Sequence, residues 1–349
     1  MQMRLRLPIS LVTAAILFVS SCSAPSSTSS PSAASGSPVA GSAASVKVDG
    51  SSTVFPISDA VAKEFRQSNP SVEVAVESSG TTGGFRKFCA GETDISNASR
   101  PISTEEIATC RNAGIRYVEL PIAFDALTVA VNPQNDWAKD LTVEELKKLW
   151  EPAAQGKIKT WQQVRSSFPN QPITLYGAGT DSGTYDYFAE VIMGGADTRT
   201  DYTGSENDDV LVEGIAKDPT ALGFFGLAYF EKNQNRLKAV AIDDGKGKGA
   251  VLPSRQTVES AAYQPLSRPL FIYINLQASQ KNTGLRDFVQ FYLKNAKRIV
   301  ETVGYAPLPQ EAYDIGSVHL YKGEVGTAYD GKPQPYLTIR EVLLKEQTF

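Results

Sequence analysis

Pro121-Ile122-Ala123-Phe124-Asp125-Ala126-Leu127-Thr128-Val129-Ala130-Val131 holds a single charge, Asp125, and shows no helical period. A continuous apolar run of this kind predicts a strand buried on both faces, placed over residues 121–133. A second run, Pro269-Leu270-Phe271-Ile272-Tyr273-Ile274-Asn275-Leu276, has the same character. Read as two crossovers, they bracket an inserted block and predict two lobes. Residues 46–127 and 268–349 form lobe 1, and residues 128–267 form lobe 2. Two lobes joined by two strands make a hinged cleft, with a ligand expected between them.

Outward from these runs, strand and helix patterns alternate. Residues 46–50 and 72–76 read as strands. Ile57, Val61 and Phe65 share one helical face behind Pro56. Residues 94–98 are extended, and Ser103-Thr104-Glu105-Glu106 opens a helix. Thr142-Val143-Glu144-Glu145 is a capping box for a helix to Trp150. Residues 173–176 form a strand that leads into a helix through Phe188. Alternation at this spacing predicts an α/β fold on a largely parallel sheet.

The chain has 349 residues, enough for two domains, with 42% hydrophobic and 21% charged residues. Those values exclude a chain disordered throughout. The net charge of −4 offers no basic surface, so no nucleic-acid partner is expected. One histidine and three cysteines are too few for a conventional zinc site, and no metal or other cofactor is expected.

Arg4 and Arg6 precede an apolar stretch over residues 7–19, shorter than the ~20 residues of a membrane span. Val19-Ser20-Ser21-Cys22 then has the form of a lipobox. Residues 1–21 are expected to be a lipoprotein signal peptide, with Cys22 the lipidated mature terminus. Removing that segment deletes two arginines and no acid, giving a charge of −6. Residues 22–45, rich in Ser, Ala and Pro, are expected to form a disordered tether. The exported part would thus be anchored to a membrane by lipid alone. Cys89 and Cys110 are expected to pair as a disulfide in an oxidising compartment.

Three segments combine a preceding strand, small hydroxyl and glycine residues, and a following helix: Gly50-Ser51-Ser52-Thr53, Gly80-Thr81-Thr82-Gly83-Gly84 and Thr180-Asp181-Ser182-Gly183-Thr184. Each helix start carries free N–H groups and about half a positive charge. Glycine admits close backbone approach, and hydroxyls add donors. Three such ends, if they converged, would supply about 1.5 charges, matched to a small dianion. Enzyme motifs fit less well. Gly177-Ala178-Gly179-Thr180-Asp181-Ser182 lacks the last glycine of a dinucleotide fingerprint, and no Walker lysine follows any of these loops. A serine hydrolase built on Ser182 would need a base, and His319 is the single imidazole.

Taken in order, Asp49-Gly50-Ser51-Ser52-Thr53-Val54-Phe55-Pro56, residues 79–84, Asp94-Ile95-Ser96-Asn97-Ala98-Ser99-Arg100-Pro101, Asp181-Ser182-Gly183-Thr184, residues 221–226, residues 271–275 and Val303-Gly304-Tyr305-Ala306-Pro307-Leu308-Pro309 form a pattern. It resembles the phosphate-binding protein of the bacterial phosphate ABC importer, from about residue 46 to 309. The resemblance implies a type II periplasmic-binding-protein fold. It also implies a monomer that closes on inorganic phosphate and delivers it to the importer's permease subunits, with no enzymatic activity. Thr53, Val54, Thr81, Ser182, Gly183 and Thr184 match the family's contact positions, with Ser52 and Thr82 beside them. Two positions depart: Ser99 stands where the family has an aspartate that accepts the phosphate proton, and Ala178 where it has an arginine. We therefore expect Arg100 to approach the anion from lobe 1, and Asp181 or Asp125 to take the proton. Sulfate or molybdate is the alternative ligand for the same fold.

Overall fold

The computed structural model describes residues 44–349, except 181 and 346. The expected signal peptide, Cys22 and all but the last two residues of the tether lie outside the described residues, as does Asp181. The strands are β1 (Ala44–Gly50), β2 (Val72–Val76), β3 (Ile95–Ala98), β4 (Tyr117–Val131), β5 (Asp140–Thr142), β6 (Thr174–Ala178), β7 (Thr203–Ser205), β8 (Ala221–Gly226), β9 (Lys238–Ala239), β10 (Ala241–Asp243) and β11 (Ser267–Asn275). Among the described residues, nine of them form one curled sheet, ordered β2-β1-β3-β11-β4-β8-β6-β7, with β9 also on β4. A separate pair joins β10 to β5. Helices cover the sheet, giving two α/β lobes.

All fifteen residues of β4 are buried, as a strand with layers on both faces requires. Nine of its first ten residues pair antiparallel with β11, from Tyr117↔Asn275 to Ala126↔Ser267, with Ile122 passed over where the register shifts between Leu270 and Phe271. Its last five pair antiparallel with β8, from Leu127↔Gly226 to Val131↔Leu222. One strand thus serves both lobes. Strand β11 also pairs antiparallel with β3, and β9 with β4, while β1 with β2 and β3, and β6 with β7 and β8, are parallel. The sheet is therefore mixed: its crossover strands run against their neighbours.

Strand β4 begins four residues before the apolar run, because Glu119 interrupts the hydrophobic pattern yet lies buried inside the strand. Its carboxylate accepts from Tyr273 Oη (2.7 Å) and from the Ala328 backbone N–H (3.1 Å). Likewise β1 starts at Ala44 rather than 46, since Ala44 and Ser45 extend the parallel ladder to Val72 and Glu73. The expected tether boundary at residue 45 is corrected accordingly.

Local signals account for most helices. The helix Phe55–Ser68 buries Ile57, Val61 and Phe65, and Phe65 meets Phe288 and Phe291 edge-on at 5.3 and 5.4 Å between ring centroids. Ser103 with Glu106, and Thr142 with Glu145, close capping boxes at Thr104–Asn112 and Val143–Trp150. The Cys89–Cys110 disulfide is present and ties the end of Thr81–Cys89 to Thr104–Asn112. The chain beyond β11 gives the long helix Thr283–Thr302 and then Gln310–Lys322. No helix among the described residues is long and apolar enough to cross a membrane.

Candidate functional site: an anion cradle between the lobes

Each glycine-bearing loop follows a strand and opens a helix. The first leaves β1 and enters Phe55–Ser68, the second enters Thr81–Cys89, and the third leaves β6 and enters Gly183–Met193. At the first two helices the N-cap residues, Val54 and Gly80, make no side-chain capping bond. At the first start, Pro56 has no N–H, and the Phe55 and Ile57 N–H groups bond to the Ser51 and Val54 carbonyls, so of these two it is the start at Thr81–Cys89 that keeps first-turn N–H groups without a capping side chain. At the third, Ser182 Oγ accepts from the Thr184 N–H at 3.1 Å.

The loops converge. In lobe 1, Ser79 donates its N–H to the Gly50 carbonyl (3.1 Å), and a Cβ on Gly84 would stand 2.5 Å from Gly50 Cα. The first and second loops therefore touch, and glycine is required at Gly84 by that approach. Thr81 Oγ1 and Ser99 Oγ are 3.1 Å apart, and Thr81 Oγ1 also accepts the Ser99 N–H. From lobe 2, Gly183 faces Thr53 so closely that a Cβ there would lie 2.5 Å from Thr53 Oγ1. Thr53 and Val54 are buried; Ser52 and Thr82 are exposed.

Arg100 lies beside this cluster, but its guanidinium is heavily engaged. It forms a bidentate pair with Glu106 (2.8 Å on both arms) and donates to Thr82 Oγ1 (3.0 Å) and the Pro101 carbonyl (3.1 Å). Those contacts occupy both terminal nitrogens, leaving Nε–H as its remaining donor. Asp125 is buried in β4, opposite Arg268 of β11. One Asp125 oxygen accepts from Arg268 Nε (3.3 Å) and Nη2 (3.2 Å). Burial pushes the Asp125 carboxyl above its usual range, against the pull of Arg268. Asp125 and Thr184 line one small cavity of about 90 Å³, together with Asp208 and Tyr305.

Three charged neighbours were not read from the sequence. Arg268 joins Asp125 to Glu190 (2.8 Å), and its guanidinium stacks 3.8 Å from the Tyr187 ring centroid. It stands one residue before the apolar run and belongs to no motif; its one signal was its place opposite Asp125, visible only once the register of the crossovers is known. Asp208 is pushed up to about 6 by burial and by the adjacent Asp209 and Glu206 carboxylates. His319 lies remote from the loops, in Gln310–Lys322, with Nε2 3.2 Å from Glu324. No group of three or more His, Cys, Asp or Glu residues among those described could hold a metal ion.

Residues 29–296 match the PBP superfamily domain, more than half of the chain. The chain belongs to the PBP superfamily. This PBP protein is 53% identical over 306 residues to Protein SphX of Synechocystis sp., covering 87% of this chain and 90% of the relative. It is 39% identical over 268 residues to the Phosphate-binding protein PstS of Staphylococcus saprophyticus, covering 77% and 82% respectively. Among solved structures, a possible phosphate binding protein from Planctomyces limnophilus matches with a TM-score of 0.75 and 46% identity. That match covers 80% of this chain and 98% of the other. The family and the fold read from the ordered motifs are those the comparisons find.

Proposed function

We propose that this PBP protein binds inorganic phosphate outside the cytoplasm and hands it to the permease subunits of an ABC importer. The observation that carries this reading is the meeting of Gly183 and Thr53, which brings helix starts from opposite lobes around one small volume. Such helix ends hold an oxyanion through backbone N–H groups and partial positive charge. Thr53, Val54, Thr81, Ser182, Gly183 and Thr184 supply the donors, with Ser52, Thr82 and Ser99 at the margin. Arg100 positions Thr82 and the turn at Ser99 and offers its Nε–H.

Asp125 or Asp181 takes the proton that phosphate carries at neutral pH. Sulfate lacks that proton and would set an acceptor oxygen of the acid against the anion with no donor between them, at a cost of about 1–3 kcal/mol or more. The work is binding, with no covalent step. Contacts from both lobes favour the closed form, and that form is what the permease recognises. The protein acts as a monomer held at the membrane by lipid on Cys22. Titration calorimetry of residues 44–349 tests the reading. It predicts a single micromolar or tighter phosphate site that sulfate does not displace. Sulfate or molybdate binding in place of phosphate would overturn it.

A further inference from the structure

The superfamily match ends at residue 296, and the chain beyond Gln310–Lys322 makes contacts that the anion loops do not require. Residues 326–328 are stitched to lobe 1. Gly326 donates its N–H to the Tyr117 carbonyl (3.0 Å), Ala328 donates to buried Glu119, and Thr327 pairs with Thr348. Between these anchors, residues 330–337 form a strap containing Pro333 and Pro335. It roofs a cavity of about 250 Å³ whose floor includes Ser99, Arg100 and Arg268.

The strap then reaches lobe 2. Tyr336 donates its phenolic O–H to Asp244 at 2.7 Å, and Lys248 Nζ sits 4.2 Å from the centre of the same ring. Asp244 directly follows β10, which pairs with β5 and belongs to lobe 2. On the lobe 1 side, Gln334 donates to the Tyr329 carbonyl (3.1 Å) and accepts from Lys345 (3.2 Å). Tyr336 adopts φ 81°, a left-handed conformation that a bulky residue holds only when its surroundings impose it. Two prolines restrict the strap before it meets lobe 2, so the ordering of Tyr336 costs less on closure.

We propose that residues 330–337 are a latch: Tyr336, docked on Asp244 and Lys248, holds the lobes closed and sets how slowly the bound anion leaves. This rests on the phosphate reading. Opening the cleft must separate Tyr336 from Asp244, whereas entry into an already open cleft need not involve that contact. Release of radiolabelled phosphate into an unlabelled chase tests it with Tyr336→Phe, Tyr336→Ala and Asp244→Ala. Tyr336→Phe and Asp244→Ala remove one hydrogen bond from opposite sides and should each speed release about threefold; Tyr336→Ala should speed it about tenfold. Association should stay within about twofold, since approach to the open cleft precedes latching. Phosphate bound by the unmodified protein and released at one rate in all four proteins would overturn the latch alone. Absence of phosphate binding in the unmodified protein would overturn the functional reading and the latch with it.

Discussion

A methyl group decides whether the cradle can close. Gly183→Ala gains a little helix propensity but sets its Cβ against Thr53, including 3.1 Å from the Thr53 Cα, so thermal stability should hold at best and otherwise fall. Its Cβ would collide with Thr53 Oγ1, and phosphate affinity should fall at least about tenfold by calorimetry; equal affinity would mean that the two loops do not meet around the ligand. Arg100→Ala should weaken binding several-fold through loss of the hold on Thr82, and unchanged affinity would remove Arg100 from the site. Glu119 is a separate case. Burial pushes its carboxyl up to about 7 from 4.5, against hydrogen bonds that favour the charged form. Between those values the folded protein binds more protons than the unfolded chain at this group, so its contribution lowers stability as pH rises. Glu119→Gln should flatten that part of the denaturation profile. At pH 5, where Glu119 is protonated, the Gln amide offers the same pairing of one acceptor and one donor, so stability there should stay within about 1 kcal/mol of the unmodified protein. An unchanged pH slope would contradict the account of this group. The loops that bring Thr53 beside Gly183 were legible in the sequence, because small hydroxyl and glycine residues recur there between a strand and a helix start, although Ser182 also serves as an ordinary helix cap. Arg268 was not, because its partner Asp125 lies 143 positions away and only strand register joins them.

Helices and strands were legible where local chemistry sets their limits. Thr142 and Glu145 satisfy the first N–H groups of Val143–Trp150, so that helix begins where the capping box predicts. The starts of β1 and β4 were not, since ladder partners at Val72 and a buried hydrogen-bonded Glu119 extend them past their apolar patterns. The helix Gln310–Lys322 was missed for a similar reason: it lies against β4, with Gly316 facing Leu120, and tertiary packing outweighs a weak periodic pattern. The Cys89–Cys110 bond belongs to this scale, because it fixes one helix end against another. Replacing both cysteines by alanine should cost about 3 kcal/mol in denaturant unfolding, as expected for a closed loop of this length. A loss under about 1 kcal/mol would contradict a loop-closure contribution of that size from this bond.

For the molecule as a whole, the crossover pair fixes what can move. Strands β4 and β11 join the lobes, and Arg268 ties β11 to Asp125 in β4 and to Glu190 on the helix that carries Gly183. Arg255 adds a second tie, pairing with Glu231 of lobe 2 and, at 2.7 Å, with Glu301 on Thr283–Thr302. That pair is partly exposed and therefore weak in salt, which leaves closure to the ligand and the strap. The two-lobe plan was legible from two apolar runs, while the strap was not: its contacts depend on how the last turns of chain fold back over lobe 1. The account stands on backbone N–H groups from both lobes gripping one anion. Amide hydrogen exchange, followed with and without phosphate, reads those groups directly. The account predicts slowed exchange on phosphate addition in all three loops, residues 51–54, 81–84 and 182–184. Slowing confined to the loops of one lobe, with the other unaffected at saturating phosphate, would contradict it.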